Sequence, residues 1–70
     1  GEGEGEITDV ITIAYNDSFT FEIVSSEGNI VRSGNGNQSQ TIDVTTLSSG
    51  TYLVVIRDGQ MLETRMFVKK

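Results

Sequence analysis

Apolar residues along this chain alternate with polar ones at a period of two. In residues 18–24, Phe19, Phe21 and Ile23 fall on one face and Thr20 and Glu22 on the other. Ile42 and Val44 alternate with Thr41, Asp43 and Thr45. In residues 51–57, Tyr52, Val54 and Ile56 share a face, and Leu53 and Val55 make the second face apolar too. Alternation places successive side chains on opposite faces of a pleated strand, and an apolar pair of faces predicts a central strand covered on both sides. No window carries apolar residues at helical spacing between sensible caps. Turn residues separate the runs: Tyr15-Asn16-Asp17-Ser18, Glu27-Gly28-Asn29, the polar loop Gly34-Asn35-Gly36-Asn37, Ser48-Ser49-Gly50, and Asp58-Gly59, a type I′ hairpin signal. The pattern predicts six to seven short strands, near residues 7–15, 18–25, 29–34, 39–45, 51–58 and 60–69. Short strands at this spacing predict an all-β fold, a small antiparallel immunoglobulin-like β-sandwich. Leu47 is expected to plug a corner between its two sheets.

Composition supports the β reading. Ile and Val supply 14 residues and Thr 8, against 3 Leu and 1 Ala. Branching at Cβ stiffens the first side-chain torsion, which disfavours a helix and suits a strand. Seventy residues make one small domain. Residues 1–6, Gly and Glu in alternation, read as a flexible acidic linker or an expression remnant, with an acidic metal- or partner-binding tail as the alternative. No basic-plus-apolar leader opens the chain, so the expectation is a fragment without its signal peptide. No apolar run approaches the ~20 residues of a membrane-spanning helix.

Charge and missing residue types narrow the chemistry. The chain has no Cys, Pro, Trp or His and a net charge of −5. An acidic balance disfavours nucleic acid as a partner. Without Cys there is no disulfide framework or thiolate metal site, and without His the usual general base is absent. Asp43 with Glu22 or Glu63 is a conceivable carboxylate pair, but these sit on polar strand faces where solvated charge explains them. Asp9, Asn16 and Asp17 could gather at one pole, without calcium-loop spacing. Phe19, Phe21, Phe67 and Tyr52 alternate into the core, which leaves Tyr15 as the exposed aromatic platform. The reading is a non-enzyme with no cofactor and no metal.

The second half carries the strongest pattern: Thr41-Ile42-Asp43-Val44-Thr45-Thr46-Leu47-Ser48-Ser49-Gly50-Thr51-Tyr52-Leu53-Val54-Val55-Ile56, then Asp58-Gly59, then Thr64-Arg65-Met66-Phe67-Val68-Lys69-Lys70. Upstream, Phe19 to Val24 and Gly28-Asn29-Ile30-Val31-Arg32-Ser33-Gly34 fit the same pattern. This order of pieces resembles the type A C-terminal sorting domain of the type IX secretion system of Bacteroidetes, over roughly residues 10–70, which assigns 7–70 to that domain. The family's usual Tyr-Pro-Asn-Pro-like opening is absent, and Glu6-Ile7-Thr8-Asp9 stands in its place.

The resemblance implies a signal carried folded at the end of an N-terminal cargo protein. It implies passage through the periplasm, recognition by the type IX outer-membrane translocon, and delivery to the cell surface or medium. In many members a surface sortase then removes the domain and joins the cargo to lipopolysaccharide. It places recognition by translocon and sortase on Gly50, Tyr52, Asp58, Gly59, Phe67, Val68, Lys69 and Lys70. Phe67 and Val68 are expected to pin the last strand by burial, so that Lys69 and Lys70 project at a fixed place. Gly50 and Gly59 are expected to supply backbone conformations that other residues would strain. The domain is expected to be a monomer or a weak edge-strand dimer, with an edge strand open to strand addition. The competing reading is a generic immunoglobulin-like accessory module that binds carbohydrate or protein; a sorting signal should end at Lys70, whereas such a module should be followed by more chain.

Overall fold

The structure is a computed structural model that describes Ile7, residues 9–59 and residues 61–70. The expectation for residues 1–6 lies outside the described residues. The described residues form four strands: β1 (Val10–Ser25), β2 (Ile30–Asp43), β3 (Gly50–Arg57) and β4 (Leu62–Lys69). They form one antiparallel sheet in the order β2-β1-β3-β4.

The all-β antiparallel reading stands, but four strands replace the predicted six to seven. Two of the expected turns lie inside strands. Tyr15, Asn16 and Asp17 form a bulge in β1: Ala14 pairs with Ser39 and Ser18 with Asn37, so three residues face Gln38 alone. Gln38 takes up the mismatch with φ at 73°, in the left-handed region. The chain turns its direction here without leaving the ladder.

Gly34-Asn35-Gly36-Asn37, expected as a loop, is paired strand in the middle of β2. The glycines are there because of their partners. Phe19 pairs with Gly36 and Phe21 with Gly34, and the rings lie over the glycine backbone. A Cβ on Gly36 would sit 2.7 Å from Phe19 Cζ and 2.8 Å from Gln40 Cβ. Two glycines spaced by two thus accommodate two phenylalanines spaced by two.

The predicted hairpin at Glu27-Gly28-Asn29 is present. Gly28 N–H donates to Ser25 O at 2.9 Å, Ser25 N–H donates to Asn29 O at 2.8 Å, and Ser25 Oγ accepts from the Glu27 and Asn29 amides. The β3–β4 hairpin is also present, although its turn is bounded by Asp58 and Met61, and β4 begins at Leu62.

One bent sheet encloses the core that two separate sheets were expected to enclose. Ile13 and Ile42, from the parts of β1 and β2 beyond the bulge, are buried with Phe19, Phe21, Ile23, Val44, Tyr52, Val54 and Ile56. Ile7 closes the fold through an isolated parallel bridge to Lys69. Leu47 packs against the core as an apolar plug, but at the β2–β3 corner of one sheet rather than between two, with its amide donating to Val44 O at 3.0 Å. The β3 strand is interior in the sheet, but only its Tyr52, Val54 and Ile56 face is buried; Leu53 and Val55 are half-covered.

Candidate functional site

The eight residues singled out from sequence fall at two ends of the β3–β4 hairpin. Gly50 pairs with Lys69, Thr51 with Val68 and Tyr52 with Phe67, so Gly50, Tyr52, Phe67, Val68, Lys69 and Lys70 lie at one end. Asp58 and Gly59 form the turn at the other. Eight strand residues at ~3.3 Å each put about 23 Å between the ends. The two groups do not form one surface.

The turn end is held by side-chain hydrogen bonds. Tyr15 Oη donates to Asp58 Oδ2 at 2.9 Å, and Met61 N–H donates to Asp58 Oδ1 at 2.8 Å. Asp58 therefore ties the β1 bulge to the turn. The hydrogen bond from Asp58 raises the pKa of Tyr15 above its ordinary value. Tyr15 is not the exposed platform expected from sequence. It is half-buried, with its ring centroid 5.5 Å from that of Phe19. Gly59 has φ at 96°, as a tight turn requires, and Gly50 has φ at 153° where the chain enters β3.

The other end corrects two expectations. Lys69 does not project: it is 6% exposed. Its Nζ donates to Leu47 O at 2.9 Å and Thr45 O at 3.2 Å, capping the carbonyls of the β2–β3 corner. The reason is strand parity. Lys69 lies two residues beyond Phe67, which is partly buried against the core, so both side chains point inward. That spacing was readable in the sequence; what was missing was an acceptor, which only the folded corner supplies. Val68 points outward and is 43% exposed, so burial of Phe67 pins the strand without help from Val68. Phe67 stacks on Tyr52 with centroids 5.4 Å apart, and Tyr52 Oη donates to Ser48 O at 2.6 Å. Lys70 has an exposed side chain, and its backbone N–H donates to Ile7 O at 2.8 Å.

Ile7 shows which way the backbone of β4 faces. Its amide donates to Val68 O at 2.8 Å, on the side away from β3. A strand residue directs its N–H and C=O to the same side, and that side alternates along the chain. Leu62, Thr64 and Met66 therefore direct their backbone groups outward as Val68 does. Over this stretch β4 is a sheet edge with no partner strand among the described residues. Leu62 and Met66, at 59% and 70% exposure, also place apolar side chains on the outer face. Neither was singled out from sequence, although they share a face with Thr64 and Val68, in alternation with Glu63, Arg65 and Phe67.

The carboxylates considered for catalysis take separate partners. Glu22 meets Arg57 at 3.4 Å and Glu63 meets Arg65 at 2.5 Å. Asp43 accepts from Thr45 N–H at 2.8 Å. Hydrogen bonds from Thr45, the hydroxyl first, hold its carboxyl below the ordinary range. No group of three or more metal-ligating side chains occurs among the described residues. No helix of the described chain is long and apolar enough to cross a membrane.

The last strand of this small antiparallel domain is fastened by Ile7, Phe67 and Lys69. A family profile described as "Secretion system C-terminal sorting domain" matches residues 7–70. The chain belongs to this family of type IX secretion sorting domains, which is not an enzyme family and whose signal implies export to the cell surface or medium. No curated protein and no solved structure matches it.

Proposed function

We propose that residues 7–70 act as a folded address for the type IX translocon of a Bacteroidetes cell. The address directs a cargo protein attached N-terminally through the periplasm and across the outer membrane, after which a surface sortase removes the domain and anchors the cargo to lipopolysaccharide. Family membership over residues 7–70 carries this reading. The geometry of β4 supports it. The strand is fixed on one side by its ladder to β3 and at its end by Ile7 and the inward Lys69, while Leu62, Thr64 and Met66 offer outward backbone groups to a receptor. Val68 and Lys70 are the exposed side chains at the end of this strand, and they replace Lys69 as the side chains offered for recognition.

Fusion of residues 7–70 behind an exported reporter tests the reading. The reporter is expected at the surface or in the medium of a type IX-competent cell and in the periplasm of a translocon-null strain. Retention in the periplasm of both strains, with the domain folded, would refute it. Asp58 and Gly59 enter this proposal only as the turn that keeps β4 in register.

A further inference from the structure

The edge of β4 matches itself. Among the described residues its unpaired part runs from Leu62 to Met66, because Ile7 already takes the Val68 carbonyl and the Lys70 N–H. Thr64 is the midpoint of that stretch. An antiparallel copy laid along the edge with its two-fold axis at Thr64 brings Leu62 opposite the partner's Met66, Thr64 opposite the partner's Thr64, and Met66 opposite the partner's Leu62. All of these direct N–H and C=O outward, so each pair can exchange backbone hydrogen bonds in both directions.

The charges choose the same register. With Thr64 at the axis, Glu63 faces the partner's Arg65 and Arg65 faces the partner's Glu63. Moving the axis to Arg65 sets two arginines opposite each other and calls on Val68, whose carbonyl Ile7 already uses. Moving it to Glu63 sets two glutamates opposite each other. Like charges directly opposed destabilise a strand pair, whereas opposite charges favour it. The side chains are placed to take part. Glu63 and Arg65 are 43% and 38% exposed and lie beside each other at the strand's inner face. On the outer face Val24, Leu53 and Met66 already form a row across three strands through their ladder pairs. The copy would continue that row with the partner's Leu62.

We infer that two copies of this domain associate through antiparallel pairing of β4 with β4, centred on Thr64, to give one continuous eight-stranded sheet. The contact is isologous and small, so association is weak and reversible. This inference does not depend on the secretion reading, but it sets a second copy in competition with any receptor that adds a strand at β4.

Sedimentation velocity of the 70-residue chain over a micromolar-to-millimolar concentration series tests it, with circular dichroism to confirm folding of each variant. The wild type is expected to pass from monomer to dimer. Arg65→Glu alone sets Glu63 opposite a glutamate, and Glu63→Arg alone sets Arg65 opposite an arginine; each should weaken self-association by about tenfold or more. An equimolar mixture of these two variants restores both opposite-charge pairs and should form the heterodimer. Thr64→Pro removes the outward N–H at the axis while leaving the β3 ladder, and should remain monomeric. A dimer that persists in Thr64→Pro, or a mixture that stays monomeric while both variants are folded, would overturn the proposal. So would a wild type that is monomeric throughout, including one that dimerises only after removal of residues 1–6, which would assign the edge to the chain's own leading residues.

Discussion

Replacing Lys69 by Met should destabilise this domain, although the residue is a lysine next to the end of the chain. Methionine keeps most of the aliphatic stem and deletes the ammonium. The ammonium donates to two backbone carbonyls, Leu47 O at 2.9 Å and Thr45 O at 3.2 Å, at a site only 6% exposed. A hydrogen bond from a charged group contributes roughly 1.5–3 kcal/mol, and its loss here leaves two carbonyls without their donor. Relief from desolvating the ammonium offsets part of this, so the net loss should be about 2 kcal/mol. For a domain of this size that corresponds to a fall in Tm of about 8–16 °C. It is also a large share of the roughly 3.5–10 kcal/mol expected for a chain of 70 residues. Urea unfolding followed by far-UV circular dichroism measures it, with Lys70→Met as the control. Lys70 is exposed, and its substitution should stay within about 0.5 kcal/mol of wild type. Equal midpoints for Lys69→Met and wild type, or an equal loss in both variants, would refute the assignment of Lys69 to the corner. The distinction matters for function. A Lys69 variant that fails to export its cargo reports first on folding, whereas a Lys70 variant that fails while its Tm is unchanged reports on recognition.

The same geometry makes other outcomes measurable. Gly36→Ala should cost about 1–3 kcal/mol in the same urea experiment, because its Cβ would meet both the Phe19 ring and the less mobile Gln40 Cβ. Gly34→Ala should cost less, since its Cβ would meet only the Phe21 ring edge, at 3.1 Å; the reverse order would mean that the register at Phe19 is wrong. Gly59→Val should lose about 1–2 kcal/mol or more, because valine is strained at φ 96°. Asp43 titrates below its ordinary 3.8 when folded, so its contribution is present above that pH and is lost as pH falls through the folded pKa; Asp43→Asn should flatten this acid limb of a stability–pH curve. Tyr15 is the opposite case. Its folded pKa lies above 10.0, so its contribution is full below that pH and is lost as pH rises through the folded pKa. Tyr15→Phe should flatten the alkaline limb, and an unchanged limb would deny the bond to Asp58.

Much of the site was visible in the sequence as residue type and spacing, and its arrangement was not. The ordered set from Thr41 to Lys70 pointed to a sorting domain, and the family match over residues 7–70 agrees. The recognition residues were gathered from that set by type and spacing, and the structure places Asp58 and Gly59 a whole strand length from Lys69. The turn residues Asn16 and Asp17 marked a real change of direction, but composition cannot distinguish a chain that leaves the sheet from one that bulges within it. Gly34 and Gly36 were read as loop because glycine is flexible when considered alone. Their true signal was non-local: the two-residue spacing matches that of Phe19 and Phe21 across the hairpin at Gly28.

Alternation of β-branched and aromatic residues determined by itself that the chain would be β-structure, which face of each strand would be apolar, and where the hairpins at Gly28 and Gly59 would turn. These properties depend on neighbours one to four residues apart, and local sterics and burial decide them. Tertiary structure decided that the early segments join into two long strands, that one sheet bends around its core, and that Lys69 turns inward while the edge from Leu62 to Met66 has no partner strand among the described residues. Those outcomes depend on groups brought together from distant parts of the chain: the Thr45 and Leu47 carbonyls for Lys69, the Phe19 and Phe21 rings for the glycines, and Ile7 for the end of β4. A buried charge or a bare backbone position acquires its meaning only when such a partner arrives, because its energy comes from the pair.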